Sequence, residues 1–544
     1  MQSCPDPSII QSQSKGDSGW YLYCTAEQFS DGGPLHLISI SRSDDLVNWT
    51  YVGDVFNTLP AGAATNSGLW APDIHYFDGK YYLYYAVSET RTTSGGSAIF
   101  AATSSTPTGP WTQVLGPVVE PQAGRSGKPR STIDPAIVDE DGHRYIIFGS
   151  YNGGILAREL SADNLTTRRD TEVRIALEDR YEAAYVIRHE GYYYLFVSAS
   201  NCCLGDLTGY GVFAARSMHA LGPYVDQTGH SLTEARIGGT PVLSMNGNRW
   251  VGPGHNATFA DAKGQDWMVY HAIDRNRPYF ADGGSRRPAM MDPIHWIDGW
   301  PRVRGNDGPS DSAQPAPALS VSGSHADAAT ALMVEQPSAL IAGVSDEFDG
   351  TALGPQWRWI RTPQPNSWAV RGGKLELNSQ AGDIFKGTNT AFLLTEPAPP
   401  GDYMVEVKMA MNVPLTGVHD YVQGGLMIYK DDGDYVKLVE NSMGQTRQIE
   451  FAKQITSTPG SVPRYGNTFL SSPGDNTWLR LVKHRTTEED TYTAYSSQDG
   501  VNWERGGTWT HSLGSQTRIA LVSMSGAGYI ASFDYVRVYS VAKM

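Results

Sequence analysis

Three acidic side chains stand at the start of predicted β-strands and are the residues of this sequence best suited to acid and base chemistry. Asp6 lies in CPDPSII, Asp134 in STIDPAIV and Glu182 in RYEAAYVIRHEGYYYLFVSAS. A single acidic residue at a strand end usually faces water, so each of them alone indicates little. Their meaning as a set depends on whether the fold brings them together.

Carboxylates gathered in one pocket repel one another unless one of them is protonated or a cation lies nearby. A protonated carboxyl beside an ionised one supplies a general acid and a general base. Hydrolysis of a glycosidic bond requires at least such a pair, with one carboxyl on each face of the sugar ring. The pattern therefore favours glycoside chemistry, provided that the fold collects these groups.

An internal repeat predicts that the fold does so. Five segments each place a polar or acidic motif before a short strand, a D-G type turn and an aromatic-rich strand. They are DPSII…GWYLYC, APDIHYFDGKYYLYYAVS, DPAIVDEDGHRYIIFGS, EAAYVIRHEGYYYLFVSAS and GPGHNATFADAKGQDWMVYHAID. The turns FDGK, EDGH and HEGY between apolar runs are typical of β-hairpins. Five such units predict a five-bladed β-propeller.

The first strand of each propeller blade lines the central channel, so the residues at its start converge on one end of that channel. The repeat therefore predicts a common pocket surrounded by Asp6, Asp73, Asp134, Glu182 and His255. In this alignment Glu182 takes the place in blade four that Asp6 and Asp134 take in blades one and three.

Composition and charge limit the class of protein. The 544 residues include 58 Gly and 29 Tyr, and 40% of them are apolar, which is typical of an all-β protein rich in turns with more than one domain. The formal charge of −15 argues against nucleic acid or an anionic membrane surface as a partner. No apolar run is long enough to span a bilayer.

The chain divides into three segments by composition. Residues 1–303 contain the five repeats and are predicted to form the propeller, which would be the catalytic domain. Residues 304–343 are rich in Pro, Ser and Ala and are predicted to be a linker. Residues 344–544 alternate apolar and polar positions over many short strands, which predicts a jelly-roll β-sandwich.

Several motifs together make residues 1–303 resemble glycoside hydrolase family 43, the five-bladed propeller enzymes that act on arabinans and xylans. They are CPDPSII, LWAPDI, STIDPAIV, YEAAYV, GPGHN, YHAID and RRPAMMDPIHWIDGWP. The resemblance implies that Asp6 is the general base that activates water and that Glu182 is the general acid. Asp134 would orient the acid and raise its pKa, in a single inverting displacement. Residues 344–544 resemble the concanavalin-like sandwich appended to many of these enzymes.

The resemblance also implies further site residues. Arg287 would contact the sugar in the cleavage subsite, with an ordinary salt bridge as the alternative. His255 would hold calcium in the channel, with His271 as the weaker candidate and a hydrogen-bonded core histidine as the alternative. Because imidazole is not a preferred ligand of hard cations, such a calcium ion would be coordinated mostly by water. No organic cofactor is implied.

Other candidates for substrate binding are Trp70, Asp73 and Asn201. Trp70 stands next to APD and has a ring able to stack on a sugar face, although most tryptophans of a β-rich protein lie in the core. Asn201 precedes Cys202 and Cys203 in a segment expected to form a wall of the cleft. For Asp73, a structural role or contact with substrate is expected rather than acid or base catalysis.

The residues after the predicted acid favour one substrate class. Ala183 and Ala184 follow Glu182, whereas a Gly-Pro pair follows the acid in the β-xylosidase branch of the family. We therefore expect cleavage of α-L-arabinofuranosyl linkages in plant cell-wall polysaccharide, in endo or exo mode. The alternatives are a β-1,4-xylosidase or an arabinofuranosidase acting on arabinoxylan, a retaining fructan or sucrose hydrolase, and a non-catalytic carbohydrate-binding propeller.

Cysteines and the first residues bear on the cellular compartment. Cys4 and Cys24 are placed to bridge neighbouring strands, while the adjacent Cys202 and Cys203 either stay reduced or form a vicinal disulfide. The chain opens MQSCPDPSII without the pattern of a signal peptide, and a strand-like motif already occupies its start. We expect a secreted protein whose signal peptide has been removed, with a cytoplasmic location as the alternative.

Overall fold

The computed structural model describes residues 3–91, 95–124, 127–321, 334–458, 460–487 and 489–541. They form a five-bladed β-propeller followed by a β-sandwich, which confirms the predicted all-β fold class. Helical structure in these ranges includes short 3-10 turns at Arg169–Thr171, Gly205–Leu207, Arg304–Asn306 and Ala342–Val344. Within the same ranges, no helix has the length and apolar character needed to cross a membrane.

Each blade is an antiparallel sheet made from one continuous stretch of chain. Blade one contains β1 (Ser8–Gln11), β2 (Trp20–Cys24), β3 (Glu27–Gln28), β4 (Leu35–Ser43) and β5 (Thr50–Phe56). Blade two contains β6 (Leu69–Phe77), β7 (Lys80–Val87), β8 (Ala98–Ser104) and β9 (Thr112–Gln113). Blade three contains β10 (Ala136–Glu140), β11 (His143–Ser150), β12 (Gly154–Glu159) and β13 (Val173–Ala176). Blade four contains β14 (Tyr181–His189), β15 (Tyr192–Ala199), β16 (Gly211–Ser217) and β17 (Thr240–Leu243). Blade five contains β18 (Trp250–Ala260), β19 (Asp266–Asp274), β20 (Ala289–Ile297) and β21 (Trp300–Val303).

The first strands of the five blades form the wall of the central channel. β1 contacts β6, β6 contacts β10, β10 contacts β14, β14 contacts β18, and β18 closes the ring against β1. The hairpins predicted from FDGK, EDGH and HEGY are confirmed, since both central residues of each turn have positive φ, as type I′ turns require. These tight turns hold the first two strands of blades two, three and four in register.

The C-terminal domain is a sandwich of two seven-stranded antiparallel sheets. One sheet contains, in spatial order, β22 (Arg358–Ile360), β27 (Leu393–Pro397), β36 (Arg518–Met524), β29 (Gln423–Asp431), β30 (Asp434–Met443), β31 (Thr446–Ile455) and β32 (Arg464–Phe469). The other sheet contains β23 (Trp368–Arg371), β24 (Lys374–Asn378), β37 (Ile530–Ser540), β28 (Tyr403–Met411), β33 (Thr477–Arg485), β34 (Asp490–Ser497) and β35 (Glu504–Thr510). A small hairpin, β25 (Ile384–Phe385) and β26 (Thr388–Asn389), lies outside both sheets. The apolar side chains on the facing sides of the two seven-stranded sheets form one continuous core.

The segment predicted as a linker makes specific contacts with blade five. The backbone N–H of Ser310 donates to Asp292 Oδ2 at 3.1 Å, and that of Ala318 donates to Asp261 Oδ2 at 2.9 Å. Leu340 already pairs with Tyr539 of the sandwich. Residues 322–333 of this segment lie outside the described residues. The described first half of the segment is therefore fixed along the surface of the propeller.

The sandwich contacts the propeller at blade four, next to the strand that carries Glu182. Arg180, immediately before β14, is 1% exposed and donates to Gln448 Oε1 at 3.0 Å and to the carbonyl oxygen of Leu470 at 2.7 Å. Its guanidinium lies 4.6 Å from the ring centre of Phe469. A cation taken out of water needs such partners, so Arg180 ties the start of β14 to the sandwich.

Replacing Arg180 should weaken this connection. We expect Arg180→Ala to lower the free energy of unfolding by about 3 kcal/mol, because it leaves buried acceptors unpaired and removes the packing of the guanidinium. Chemical denaturation followed by fluorescence measures the change. Arg188→Ala, on the exposed part of the same strand, is the control and should change stability by less than about 0.5 kcal/mol. Equal effects of both substitutions would contradict the role of Arg180.

Candidate active site

A backbone feature repeated in every blade defines the mouth of the channel. One residue at the start of each first strand has a positive φ between 46° and 56°, and the five residues are Asp6, Ala71, Asp134, Ala183 and His255. Strand pairing is interrupted at this point in blades two, four and five. Non-glycine residues seldom adopt this conformation, so the strain must be offset by the surrounding structure.

The structure therefore corrects the predicted alignment of the repeats. The position of blade four that corresponds to Asp6 and Asp134 is Ala183, and Glu182 precedes it by one residue. In blade two the corresponding position is Ala71, and Asp73 follows two residues later. The sequence pattern aligned acidic residues with one another, whereas the backbone aligns residues of the same conformation.

Side chains from neighbouring blades hold this ring of backbone turns. In four blades the N–H of the positive-φ residue donates to a side chain of the preceding blade. The pairs are Ala71 with Thr25 Oγ1 at 2.7 Å, Ala183 with Asp134 Oδ2 at 2.9 Å, His255 with Ser198 Oγ at 3.0 Å, and Asp6 with His271 Nδ1 at 3.2 Å. The last pair joins blade one to blade five. The site is thus built from contacts between blades.

Asp6 is buried and surrounded by donors and positive charge. Thr25 Oγ1 donates to its Oδ2 at 2.7 Å, and Arg287 Nη1 and His255 Nδ1 each lie 3.2 Å from its Oδ1. Burial alone would raise the pKa of Asp6, but Arg287, His255 and the hydrogen bonds outweigh it and hold the pKa well below 3.8. Asp6 is consequently ionised at neutral pH.

The pKa values of Glu182 and Asp134 are raised, in contrast to that of Asp6. Burial raises the pKa of Glu182, although Ser150 Oγ and Tyr210 Oη each donate to its carboxylate at 2.8 Å. Burial, Glu182 and Asp6 also raise the pKa of Asp134, although it accepts the N–H of Ala183. These two carboxyls are coupled and retain a proton more readily than Asp6 does. The site thus holds an ionised Asp6 near a pair of carboxyls whose ionisation is disfavoured.

The two histidines of the site have different charge states. Burial lowers the pKa of His255, but Asp6 and Asp134 outweigh it and raise the pKa to about 9, so this imidazole is cationic at neutral pH. Burial lowers the pKa of His271 to about 4, so His271 is neutral and its Nδ1 accepts the N–H of Asp6. The ring of Tyr210 stacks on His271 with centroids 5.8 Å apart. His255 supplies charge to the site, while His271 positions the backbone of Asp6.

The residues around His255 allow only a weakly held metal ion. Among the described residues, no cluster of three or more His, Cys, Asp and Glu side chains is arranged to hold one. His255 would have to lose its proton before it could bind a cation. The donors present therefore fit an ion coordinated mainly by water, with a single imidazole ligand.

The predicted substrate-binding residues lie at different depths. Arg287 reaches the carboxylate of Asp6, so the structure places it in the pocket. Asp73 is 4% exposed, and its Oδ2 accepts the N–H of Ile137 at 2.9 Å and lies 2.7 Å from His75 Nε2. The bond from Ile137 joins blade three to blade two, and the contact with His75 lies within blade two, which gives Asp73 a structural role. Contact between Asp73 and substrate has no support in this geometry.

Trp70 lies at the edge of the site, whereas Asn201 lies in the exposed segment that follows β15. Trp70 is 40% exposed and immediately precedes Ala71, whose N–H is bound to the same Thr25 hydroxyl that contacts Asp6. Its ring is accessible for stacking on a sugar. Asn201 Oδ1 accepts the N–H of Cys203 at 2.8 Å. Cys202 and Cys203 are joined to each other in a disulfide, and so are Cys4 and Cys24.

Three residues that contact the carboxyls of Asp6 and Glu182 were not predicted from the sequence. Thr25 follows Cys24 at the end of β2, Ser150 ends β11, and Tyr210 precedes β16. None of the three lies on the first strand of a blade, where the repeat predicts the site residues. The second strands of blades one and three end near the channel mouth. The pairing of these strands with the first strands could therefore have indicated Thr25 and Ser150.

Comparisons with known proteins agree with this architecture. Residues 1–301 match the family model for "Glycosyl hydrolases family 43", and residues 345–535 match the "Beta xylosidase C-terminal Concanavalin A-like domain". Among solved structures, a Cellvibrio cellulosa α-L-arabinanase complexed with arabinohexaose is 30% identical, with a TM-score of 0.47 over 56% of this chain and 96% of that chain. The family 43 protein BlXynB from Bacillus licheniformis is 22% identical, with a TM-score of 0.43 over 99% of this chain and 98% of that chain.

Two curated proteins also align with the propeller. The extracellular exo-α-(1→5)-L-arabinofuranosidase ArbA of Cellvibrio japonicus is 32% identical over 314 residues, which are 53% of this chain and 84% of that protein. The extracellular endo-α-(1→5)-L-arabinanase 1 of Bacillus subtilis is 32% identical over 310 residues, which are 54% of this chain and 86% of that protein. With a family model matching more than half of its length around a site of paired carboxyls, the chain belongs to glycosyl hydrolase family 43 and is a glycoside hydrolase.

Proposed function

We propose that this enzyme cleaves α-L-arabinofuranosyl linkages of arabinan with inversion of configuration. The observation that carries the proposal is the contrast between the neighbours of two carboxyls: Arg287 and His255 lie 3.2 Å from Asp6, whereas neutral hydroxyls contact Glu182. The pKa of Asp6 is accordingly lowered and that of Glu182 is raised. One ionised and one protonated carboxyl are the groups that a single displacement by water requires.

In the proposed reaction Asp6 accepts a proton from a water molecule as the water oxygen attacks the anomeric carbon. Glu182 donates its proton to the glycosidic oxygen as the bond from that oxygen to the anomeric carbon breaks. The products are a sugar of inverted configuration and a free hydroxyl on the leaving group. Asp134 fixes the backbone at Ala183, next to the acid, and supports the raised pKa of Glu182. Arg287 and cationic His255 keep Asp6 ionised.

Arabinan as substrate is supported by two observations. The curated relatives at 32% identity are named as an exo-α-(1→5)-L-arabinofuranosidase and an endo-α-(1→5)-L-arabinanase. Ala183 and Ala184 follow the proposed acid, in place of the Gly-Pro pair expected in the β-xylosidase branch. A second candidate is a β-xylosidase, favoured by the match of residues 345–535 to the C-terminal domain of those enzymes. The extracellular relatives also support secretion of this protein.

The deciding experiment is chromatography of the products released from linear 1,5-arabinan, with β-1,4-xylan oligosaccharides as the parallel substrate. We expect arabinose or arabino-oligosaccharides from the first substrate, and NMR of the initial product should show the inverted anomer. Release of xylose alone would favour the second candidate. An initial product of retained configuration would contradict the proposed mechanism.

Replacing the proposed general acid should affect activity according to the leaving group. We expect Glu182→Gln to lower kcat on arabinan by about 100-fold to 10,000-fold, because the glycosidic oxygen then departs without a proton. An aryl arabinofuranoside with an acidic phenol as leaving group should lose much less activity. Equal losses on both substrates, with an unchanged melting temperature, would remove Glu182 from the role of acid.

The pH dependence should report the two tuned carboxyls. Because the pKa of Asp6 is low, Asp6 loses its charge only at strongly acidic pH. Because the pKa of Glu182 is raised, activity should fall on the alkaline side as the Glu182 and Asp134 pair loses its proton. Asp134→Asn removes a like charge, so the alkaline limb of kcat/KM should move to lower pH. An alkaline limb that stays in place would contradict the proposed coupling.

We further propose that calcium displaces the proton of His255 when it binds, so that the neutral imidazole and water hold the ion. A cation there would offset repulsion among Asp6, Asp134 and Glu182. Treatment with a chelator should then lower the melting temperature and the activity, and added calcium should restore both. His255→Ala serves as the control and should no longer respond to either treatment. A wild-type protein unaffected by the chelator would favour the charge-supplying role of His255 alone.

A further inference from the structure

The sandwich carries a cavity of about 550 Å³ where it meets the propeller. Its floor is the outer face of β29 to β32, the face that points away from the core of the sandwich. On β30, Val436 and Leu438 face the core, while Lys437 and Asn441 face the cavity. A cavity of this size lies in the range of small-molecule sites.

The floor of the cavity is a connected set of polar side chains: Gln423, Lys437, Asn441, Glu450, Tyr465 and Asn467. Glu450 is 3% exposed and accepts from Tyr465 Oη at 2.7 Å, Asn467 Nδ2 at 2.8 Å and Asn441 Nδ2 at 3.1 Å. Lys437 Nζ lies 3.5 Å from Glu450 and donates to Gln423 Oε1. Burying a Lys and a Glu is costly and is offset by this network.

One buried polar atom of the floor has no partner. Asn441 is 4% exposed and lines the cavity, and its Oδ1 makes no hydrogen bond among the described residues. An unpaired buried acceptor costs free energy that a hydroxyl donor entering the cavity would recover. In a purely structural network every buried polar group would have a hydrogen-bond partner. The unpaired oxygen of Asn441 therefore indicates a ligand site.

The remaining lining indicates the chemical class of the ligand. Phe385 and Tyr421 stand at the opening, 39% and 58% exposed, and the edge of Phe385 meets Tyr465 with centroids 5.0 Å apart. The charged lining residues balance, since Asp383 and Glu450 stand against Lys386 and Lys437. Exposed aromatic rings beside donors and acceptors, with no excess charge, suit a neutral ligand rich in hydroxyl groups.

The cavity adjoins the catalytic site through the segment that follows β15. Asn201 and Leu204 of this segment form its propeller-side wall. Ser200 donates to the carbonyl oxygen of Asn467 on the floor, and its own carbonyl oxygen accepts from Tyr151 Oη at 2.5 Å. Tyr151 directly follows Ser150, whose Oγ donates to the carboxylate of Glu182 at 2.8 Å, so this phenol lies near the proposed acid.

We propose that this cavity binds sugar units of the substrate chain beyond those at the cleaved bond, so that the sandwich forms a subsite of the enzyme. The inference rests on the proposed function, since it takes the neutral pentose chain of that reaction as the ligand. The rings of Phe385 and Tyr421 contact the apolar face of a sugar, and Asn441 Oδ1 accepts one of its hydroxyl groups.

The experiment compares kcat/KM for a long linear arabino-oligosaccharide with kcat/KM for an aryl arabinofuranoside, which is too short to reach the cavity. In Phe385→Ala and in Tyr421→Ala the ratio of the two values should fall about tenfold, because each substitution removes one stacking surface. Tyr51→Ala, which removes a 43% exposed ring on β5 of blade one, is the matched control and should keep the ratio of the wild type. Melting temperatures identify any variant that loses activity through misfolding.

The outcomes separate the two proposals. An unchanged ratio in both cavity variants, with normal hydrolysis of arabinofuranosides, overturns the subsite and leaves the proposed function standing. If the wild type hydrolyses neither arabinofuranoside, the proposed function fails, and calorimetric titration with arabino- and xylo-oligosaccharides tests the cavity directly. Binding weakened in the two cavity variants and retained in Tyr51→Ala supports a sugar site, while equal affinity in all three overturns it.

Discussion

The site depends on how three carboxyl groups are accommodated close together at the mouth of the channel. The three carboxyls differ in their neighbours. Arg287 and His255 lie beside Asp6, whereas the hydrogen-bond donors that contact Glu182 among the described residues are neutral hydroxyls. The same burial that disfavours ionisation of Glu182 is overcome at Asp6 by positive charge. The pKa values of two like groups shift in opposite directions because their neighbours differ.

The fold provides these neighbours by joining successive blades at the channel mouth. A residue of strained conformation stands in each blade, and in four blades its N–H is held by a side chain of the blade before. Asp134 belongs to this ring as well as to the carboxyl pair. Its carboxylate therefore connects the backbone geometry at Glu182 with the protonation of the site.

The number of blades, the sandwich and the hairpin turns could be predicted from the sequence, because D-G turns and strand alternation are local patterns. The grouping of Asp6, Asp134 and Arg287 followed from motifs. The one-residue offset of Glu182 could not be predicted, since positive φ at Ala183 leaves no mark in residue type. Thr25, Ser150 and Tyr210 were missed because they reach the site from outside the first strands. The outer face of β29 to β32 was also missed, since its polar residues resemble a solvated strand face.

The connection between the domains has a consequence for how such proteins can be recombined. The interface is formed by paired groups from both sides, such as Arg180 with Gln448 and Asp206 with Arg464. At Gly209 and Gly466 the two backbones approach so closely that a side chain on either residue would collide with the other domain. A propeller transplanted onto a foreign sandwich would lack these matched positions. The two domains should therefore be inherited and engineered as one unit rather than as interchangeable modules.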